Sequence, residues 1–273
     1  MVFKRFLFPP YHKPFDPHAI PAYLYACMGA EFSRRFVDIL KAARHVVVST
    51  GAGVSAESGV PTFRGADGLW KKFRPEELAT FEAFIANPQI VWEWYQYRRD
   101  IIDKIKPNPG HYAIAQMPGY FEDFDLITQN VDGLHRAAGS ADVIELHGNI
   151  MRNRCIDCRR VNSEREFAEF PPRCDCGGRL RPDVVWFGEM LPAGVLERAG
   201  QAAATCDIFF TVGTSGVVQP AAGLVHAARR SGAFVVEINI ERTELTYICD
   251  EHLPGKSGEI LPAIMEKIKE IRG

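Results

Sequence analysis

An apolar run, Val46-Val47-Val48, gives way to a glycine-rich turn, Gly51-Ala52-Gly53, and that junction narrows what the chain can fold into. Three consecutive β-branched residues read as a short buried strand. Glycines that leave a strand and enter a helix bare the backbone N–H groups at the helix N-terminus, where the dipole favours a pyrophosphate. The stretch continues Val54-Ser55-Ala56-Glu57-Ser58-Gly59-Val60-Pro61-Thr62-Phe63-Arg64-Gly65, with Gly68 just beyond. The third glycine comes too late for the usual dinucleotide fingerprint. The pattern therefore predicts a nucleotide site with an added loop carrying Phe63 and Arg64.

Further apolar runs recur along the chain. Phe124–Thr128, Val143–Leu146, Asp207–Val212 and Phe234–Ile238 read as strands, and 31–43, 191–204 and 221–231 as helices. A helical, aromatic stretch spans 74–106 and is closed by Pro107-Asn108-Pro109-Gly110. Strands alternating with helices predict an α/β fold, a Rossmann-like parallel sheet with helices on both faces. In such sheets ligands gather at the carboxyl ends of the strands. The polar clusters fall there: Thr128-Gln129-Asn130-Val131-Asp132, His147-Gly148, Gly213-Thr214-Ser215 and Asn239.

A formal charge of −2 on 273 residues leaves no basic excess to neutralise phosphates, which argues against an obligate nucleic-acid partner. No apolar stretch reaches membrane-span length. Residues 1–30 are proline-rich and aromatic and read as an extension over the domain surface, an organellar leader being the alternative. Seven cysteines, an odd number, suit a reducing cytoplasm better than a secreted disulfide framework.

Four of those cysteines form two pairs, Cys155-Ile156-Asp157-Cys158 and Cys174-Asp175-Cys176. Each pair can turn two thiolates onto one tetrahedral ion, and four sulfur ligands fill the shell of Zn2+. The metal so held, one per chain, is structural. Cys27, Cys206 and Cys249 read as packing residues. The expected organisation is an extension 1–30 and a main domain 31–273. Within that domain lie a core (31–64, 119–150, 181–273), a helical insertion (65–118) and a zinc module (151–180).

Together, Gly51–Gly59, Pro61-Thr62-Phe63-Arg64, Thr128–Asp132, Leu146-His147-Gly148, the paired cysteines and Gly213–Ser215 resemble the sirtuins, NAD-dependent protein lysine deacylases. The likeness runs in order from about residue 31 to the C-terminus. It implies a cleft between a Rossmann-like core and a zinc ribbon, entered by acyl-lysine from one side and by NAD, a consumed co-substrate, from the other. The acyl oxygen attacks C1′ of the nicotinamide ribose, and nicotinamide leaves. A histidine base then activates the ribose hydroxyls, so that free lysine and O-acyl-ADP-ribose result.

The resemblance makes His147 that base, an imidazole being able to take and return a proton near neutrality. Asn130 and Asp132 join it as catalytic residues handling ribose and carboxamide. Gly51, Ala52, Gly53, Ser55, Phe63, Arg64, Gln129, Val131, Gly213, Thr214, Ser215, Asn239, Ile240, Glu241 and Ser257 are expected to line the NAD site. Tyr95 and Arg98, three residues apart and so on one helix face, match the Tyr-x-x-Arg pair of the class III, desuccinylase-type branch. A guanidinium beside a phenol can bind the distal carboxylate of succinyl-, malonyl- or glutaryl-lysine. Tyr97 and Arg99 stand two and one positions along, but the register around Trp92 and Trp94 favours Tyr95 and Arg98. Ala79, Thr80 and Ala83 suit the wall of a larger acyl pocket. Val184, Val185, Phe187, Gly188 and Glu189 lie in a segment expected to pair with substrate backbone as a strand. The implied partners are acylated-lysine proteins or peptides, with the enzyme a monomer. A protein ADP-ribosyltransferase would use the same NAD pocket, and a non-enzymatic NAD-binding module would show a damaged catalytic set.

Overall fold

The computed structural model describes residues 31–62, 74–167 and 169–273. The readings placed on residues 1–30 (Cys27 among them), on Phe63, Arg64, Gly65 and Gly68 lie outside the described residues. The sheet is built from β1 (His45–Thr50), β2 (Asp123–Thr128), β3 (Val143–Glu145), β7 (Ile208–Val212), β8 (Phe234–Asn239) and β9 (Glu251–Pro254). Its order is β3-β2-β1-β7-β8-β9, every pair parallel. The chain runs outward from β1 to β3, then crosses back to β7 and proceeds the other way. The reversal lies between β1 and β7, where an open parallel sheet leaves a crevice at the strands' carboxyl ends.

Alternation along β1 sorts its side chains between two cores. Val46 and Val48 face α1 (Arg34–Ala42), α6 (Pro109–Gln116) and α10 (Ser257–Arg272), packing with Phe36, Ile114, Phe210 and Ile264. Val47 faces α8 (Ala193–Thr205) and α9 (Ala222–Arg230), packing with Phe209, Ala203 and Val225. Burial on both faces explains why these strands are continuous apolar runs.

The 74–106 stretch is three helices rather than one: α3 (Pro75–Leu78), α4 (Phe81–Ala86) and α5 (Pro88–Ile102). Thr80 and Asn87 cap the latter two, each accepting a backbone N–H with its side-chain oxygen. The Pro107–Gly110 segment does not merely close a helix. Asn108 is the N-cap of α6 and Pro109 its first residue, the position where proline's missing N–H costs nothing. Ala113, Ile114 and Met117 then enter the main core, so 109–117 packs with the sheet and not with the inserted helices.

Those inserted helices share a third core with the cysteine-bearing module, a three-stranded antiparallel sheet of β4 (Gly148–Cys155), β5 (Val161–Asn162) and β6 (Leu180–Val184). Trp92, Trp94, Tyr95 and Phe84 pack with Ile150, Leu180 and Trp186. The Trp92 indole N–H donates to the Leu180 carbonyl at 3.0 Å. Arg99, fully buried, donates to Ile150 O (2.6 Å), Arg152 O (3.0 Å) and Asn153 Oδ1 (2.8 Å). It is thereby a pin between α5 and β4, which leaves Arg98 as the α5 guanidinium near the cleft.

Arg99→Met should strand those three acceptors without emptying the space. We expect a loss of about 3 kcal/mol, read as a lower urea midpoint at unchanged slope. A loss below about 1 kcal/mol would contradict the pinning role.

Candidate functional site

The crevice starts where two glycine turns touch. Gly51 N donates to Val212 O at 2.9 Å and Gly53 N to Gly213 O at 2.7 Å. A Cβ on Gly53 would stand 2.7 Å from Gly213 Cα, and Gly213 itself has φ +59. No larger residue fits either side of that contact. It places Ala52, Gly53 and the start of α2 (Gly53–Ala56) against the Gly213–Ser215 turn. Thr214 then knits the rim: its Oγ1 accepts from Gln129 Nε2 (3.2 Å) and its carbonyl from Asn239 Nδ2 (2.9 Å). Ser215, Ile240 and Glu241 are exposed beside it.

Beyond β2 the backbone turns through Gln129–Asp132. Asn130 donates its amide to Gly51 O (3.0 Å) and Ser55 Oγ (3.1 Å), while Val131 O accepts from Ile150 N (2.8 Å). Ser55 Oγ donates to Asp132 Oδ2 at 2.8 Å, and Leu134 N donates to Asp132 Oδ1 at 2.9 Å. Burial pushes Asp132 above the usual carboxylate range, although both hydrogen bonds act the other way.

His147 follows β3, half-buried. Its Nδ1 lies 2.9 Å from the Gln129 carbonyl. A carbonyl only accepts, so Nδ1 carries the proton and Nε2 keeps a basic lone pair. Burial lowers the imidazole below its ordinary 6.5, and the Gln129 contact partly opposes this. His147 is thus a neutral, oriented base at neutral pH.

On the opposite wall α5 presents Tyr95 and Arg98. The Tyr95 hydroxyl accepts from Trp186 Nε1 at 2.8 Å. The Arg98 guanidinium lies over the Trp94 ring (4.8 Å to centroid) and near Tyr95 (5.6 Å). Burial depresses the Arg98 pKa, and the Tyr95 and Asp132 charges act the other way. Arg98 on α5 and Asp132 beyond β2 therefore feel one another.

The expected substrate strand is partly committed within the chain. Val184 pairs with Gly148, Val185 N donates to His147 O (2.9 Å), Phe187 N to Ala79 O (2.9 Å) and Glu189 N to Trp186 O (3.1 Å). Glu189 is an ion-pair partner of Arg181 and accepts from Trp186 N at 2.9 Å. These bonds brace the cleft wall, leaving the exposed Phe187 and Gly188 at its lip. Ser257 is buried at the start of α10, its Oγ 3.2 Å from Glu57 Oε2, and Gly258 N donates to the same oxygen at 2.7 Å. Its side chain serves the helix start, not the open cleft.

Support for the site comes from residues with no spacing signature. His111 Nε2 meets Ser55 Oγ at 3.4 Å, and His111 Nδ1 accepts from Asn108 N at 3.3 Å. His135, on α7 (Leu134–Ala137), reaches Thr50 Oγ1 at 2.9 Å. Thr50 Oγ1 donates to Thr128 Oγ1 at 2.9 Å, which accepts from Asn130 N at 3.0 Å. The two imidazoles pack at a tilt of 54° with centroids 4.8 Å apart. Burial drives His111 down to about 4 and His135 to about 3. Only the Asn-Pro cap before His111 was a readable signal.

The four cysteines Cys155, Cys158, Cys174 and Cys176 have sulfurs all within 4.8 Å of one another. Cys155 and Cys176 lie 3.5 Å apart and Cys158 and Cys174 3.7 Å. Tetrahedral Zn2+–thiolate bonds give an edge of roughly 3.8 Å, so the cluster fits the ion. A Cβ on Gly178 would meet Cys155 Sγ at 2.7 Å, which explains the glycine there.

Residues 51–220 match the family model described as the Sir2 family. The chain is 52% identical over 234 residues to NAD-dependent protein deacylase 2 of Pyrobaculum aerophilum, covering 85% of this chain and 94% of that one. Against the NAD-dependent protein deacylase of Aquifex aeolicus it is 52% identical over 232 residues, covering 84% and 97%. A solved Sir2 homologue–NAD complex matches with a TM-score of 0.83 at 43% identity, over 90% of this chain and 97% of that one. A Sir2–p53 peptide–NAD+ complex matches with a TM-score of 0.78 at 30% identity, over 86% and 98%.

Two outcomes follow from these groups. Unfolded, His111 and His135 take protons near 6.5; folded, they stay neutral until about 4 and 3. The unfolded chain then binds more protons through that window, so stability is full above it and falls as pH drops. Each histidine contributes a slope approaching about 1.4 kcal/mol per pH unit, with Asp132 opposing. Urea titrations from pH 7.5 to about 4.5 should show this, and His135→Gln should flatten it. Verified removal of the metal should lower Tm by about 10 °C or more; an unchanged Tm contradicts a structural ion.

Proposed function

The chain belongs to the Sir2 family, and on that premise we propose that it removes acidic acyl groups, succinyl, malonyl or glutaryl, from protein lysines in preference to acetyl. It does so as an NAD-dependent protein-lysine deacylase, releasing nicotinamide and O-acyl-ADP-ribose. The observation that carries the preference is the pairing of Arg98 with Tyr95 on the cleft-facing side of α5. A guanidinium partly withdrawn from water and flanked by aromatic rings gains from an incoming carboxylate. Acetyl offers it none.

His147 Nε2 takes the proton of a ribose hydroxyl, while the Gln129 carbonyl holds the ring and stabilises the imidazolium that forms. Asn130 presents its amide oxygen to the ribose, its NH2 being held by Gly51 and Ser55. Asp132, fixed by Ser55 and Leu134, accepts from the nicotinamide carboxamide. The Gly51–Gly53 and Gly213–Ser215 turns take the phosphates, and Asn239–Glu241 the adenine ribose. The exposed lip at Phe187 and Gly188 meets the peptide. The intact His147, Asn130 and Asp132 set favours deacylation over ADP-ribosyl transfer to protein. The cytoplasm and a monomeric state complete the reading, and among the described residues no helix is long and apolar enough to cross a membrane.

The test is a matched set of acetyl, malonyl, succinyl and glutaryl peptides with NAD, with products identified by mass spectrometry. Arg98→Met should lower kcat/KM for succinyl-lysine about a hundredfold, the loss of two charge-assisted bonds, with deacetylation changed less than about threefold. Equal losses on both would refute the assignment. His147→Tyr should abolish turnover on every acyl chain. In the wild type the acid limb of kcat should have its midpoint below 6.5, activity falling as the imidazole is protonated.

A further inference from the structure

A buried carboxylate two residues before Asn239 has no part in the chemistry above. Glu237, on β8, is 1% exposed, and its oxygens are surrounded by donors from the loop that follows. Thr243 Oγ1 donates to Oε1, Thr246 Oγ1 to Oε2, and His252 Nδ1 on β9 meets Oε2 at 2.9 Å. An ionised carboxylate only accepts, so both hydroxyls must point their hydrogens inward. Their lone pairs are thereby turned to the backbone. Thr243 Oγ1 accepts from Leu245 N at 3.1 Å, and Thr246 Oγ1 from Thr243 N at 2.8 Å. Residues 243–246 are thus wrapped around one anion.

That wrapped loop reaches the nucleotide turn. Leu245 is 2% exposed and lies against Gly216, where a Cβ would stand 2.6 Å from Leu245 Cγ. Gly216 has φ +74 and its N–H donates to Thr214 Oγ1 at 3.4 Å. The opposite end of the loop begins at Ile240 and Glu241. One carboxylate therefore sets the spacing between the Gly213–Gly216 turn and the Asn239–Glu241 corner.

We infer that Glu237 is a positioning residue for NAD, holding through Thr243, Thr246 and Leu245 the two segments that take the phosphate and adenosine end of the dinucleotide. This rests on the assignment of those segments to NAD made above, and is independent of the acyl preference. The amide of a glutamine would face at least one hydroxyl with N–H instead of an acceptor. That hydroxyl must reverse, and the backbone N–H it had accepted from loses its partner.

The experiment uses the zinc-replete full chain with ADP-ribose as the calorimetric probe and NAD plus one acyl peptide for kinetics. Glu237→Gln should raise the Kd for ADP-ribose and the KM for NAD about tenfold. The peptide KM and the kcat at saturating NAD should stay within about twofold. Thr243→Val should act in the same direction and Thr243→Ser should restore wild-type values, a pair that decides the matter even if the glutamine variant fails to fold. A lowered Tm with unchanged ADP-ribose affinity, or a loss confined to kcat, overturns the proposal. Glu241→Ala separates the two levels. If it weakens ADP-ribose binding while Thr243→Val does not, the clamp alone fails; if it changes nothing, the nucleotide assignment fails and the clamp with it.

Discussion

The rest of the site hangs on a backbone-to-backbone contact between two turns at the reversal point of the sheet. Gly53 N reaches Gly213 O at 2.7 Å, with no side chain on either residue to hold them apart. Because β1 and β7 are adjacent and parallel, their exits are brought together only if both turns are this lean. From that contact the hydrogen bonds spread outward: Asn130 reaches Gly51, Ser55 reaches Asp132, and Gln129 reaches Thr214. A substitution at Gly53 or Gly213 would displace all of these together, since the colliding atoms are main chain and cannot rotate away.

The electrostatics of the cleft have one cause with several expressions. Removing water raises Asp132, lowers His147 and depresses Arg98. Each shift favours the neutral form, and each is opposed by a placed donor, acceptor or charge. The balance leaves an imidazole that can accept a proton and a guanidinium set among aromatic rings within reach of the Asp132 charge. Ordinary surface residues of the same types would be more heavily solvated and less selective.

How legible this was in the sequence depended on burial and on local periodicity. Strands β1, β2, β3, β7 and β8 were readable because strands covered on both faces are apolar along most of their length. Edge strand β9 was not, since Glu251-His252-Leu253-Pro254 has one flank open and little hydrophobic signal. Helix α10 carries Gly258 and Pro262, which depress helix propensity, and only the burial of Leu261, Ile264 and Ile268 overrides them. In the site, glycine turns and strand-end polar clusters announced themselves by spacing. His111, His135 and Thr50 did not, because each works through contacts between segments distant in the chain, and Glu237 did not, because the spacing of Thr243, Thr246 and His252 follows no motif. The segment at 184–189, expected from the resemblance to pair with substrate backbone, has most of its own N–H donors on acceptors within the chain, which no spacing in the sequence signals.

The sharing of a core between α5 and the cysteine module has a mechanical corollary. Tyr95 and Arg98 sit on a rod whose far side is riveted to β4 by Arg99, whereas Asp132 and His147 belong to the sheet across the gap. Any movement of the ribbon relative to the sheet would carry Tyr95 and Arg98 as one body, changing their separation from Asp132. A metal held by the four cysteines, two of which (Cys155 and Cys174) line that core, would thereby stiffen the body that carries Tyr95 and Arg98.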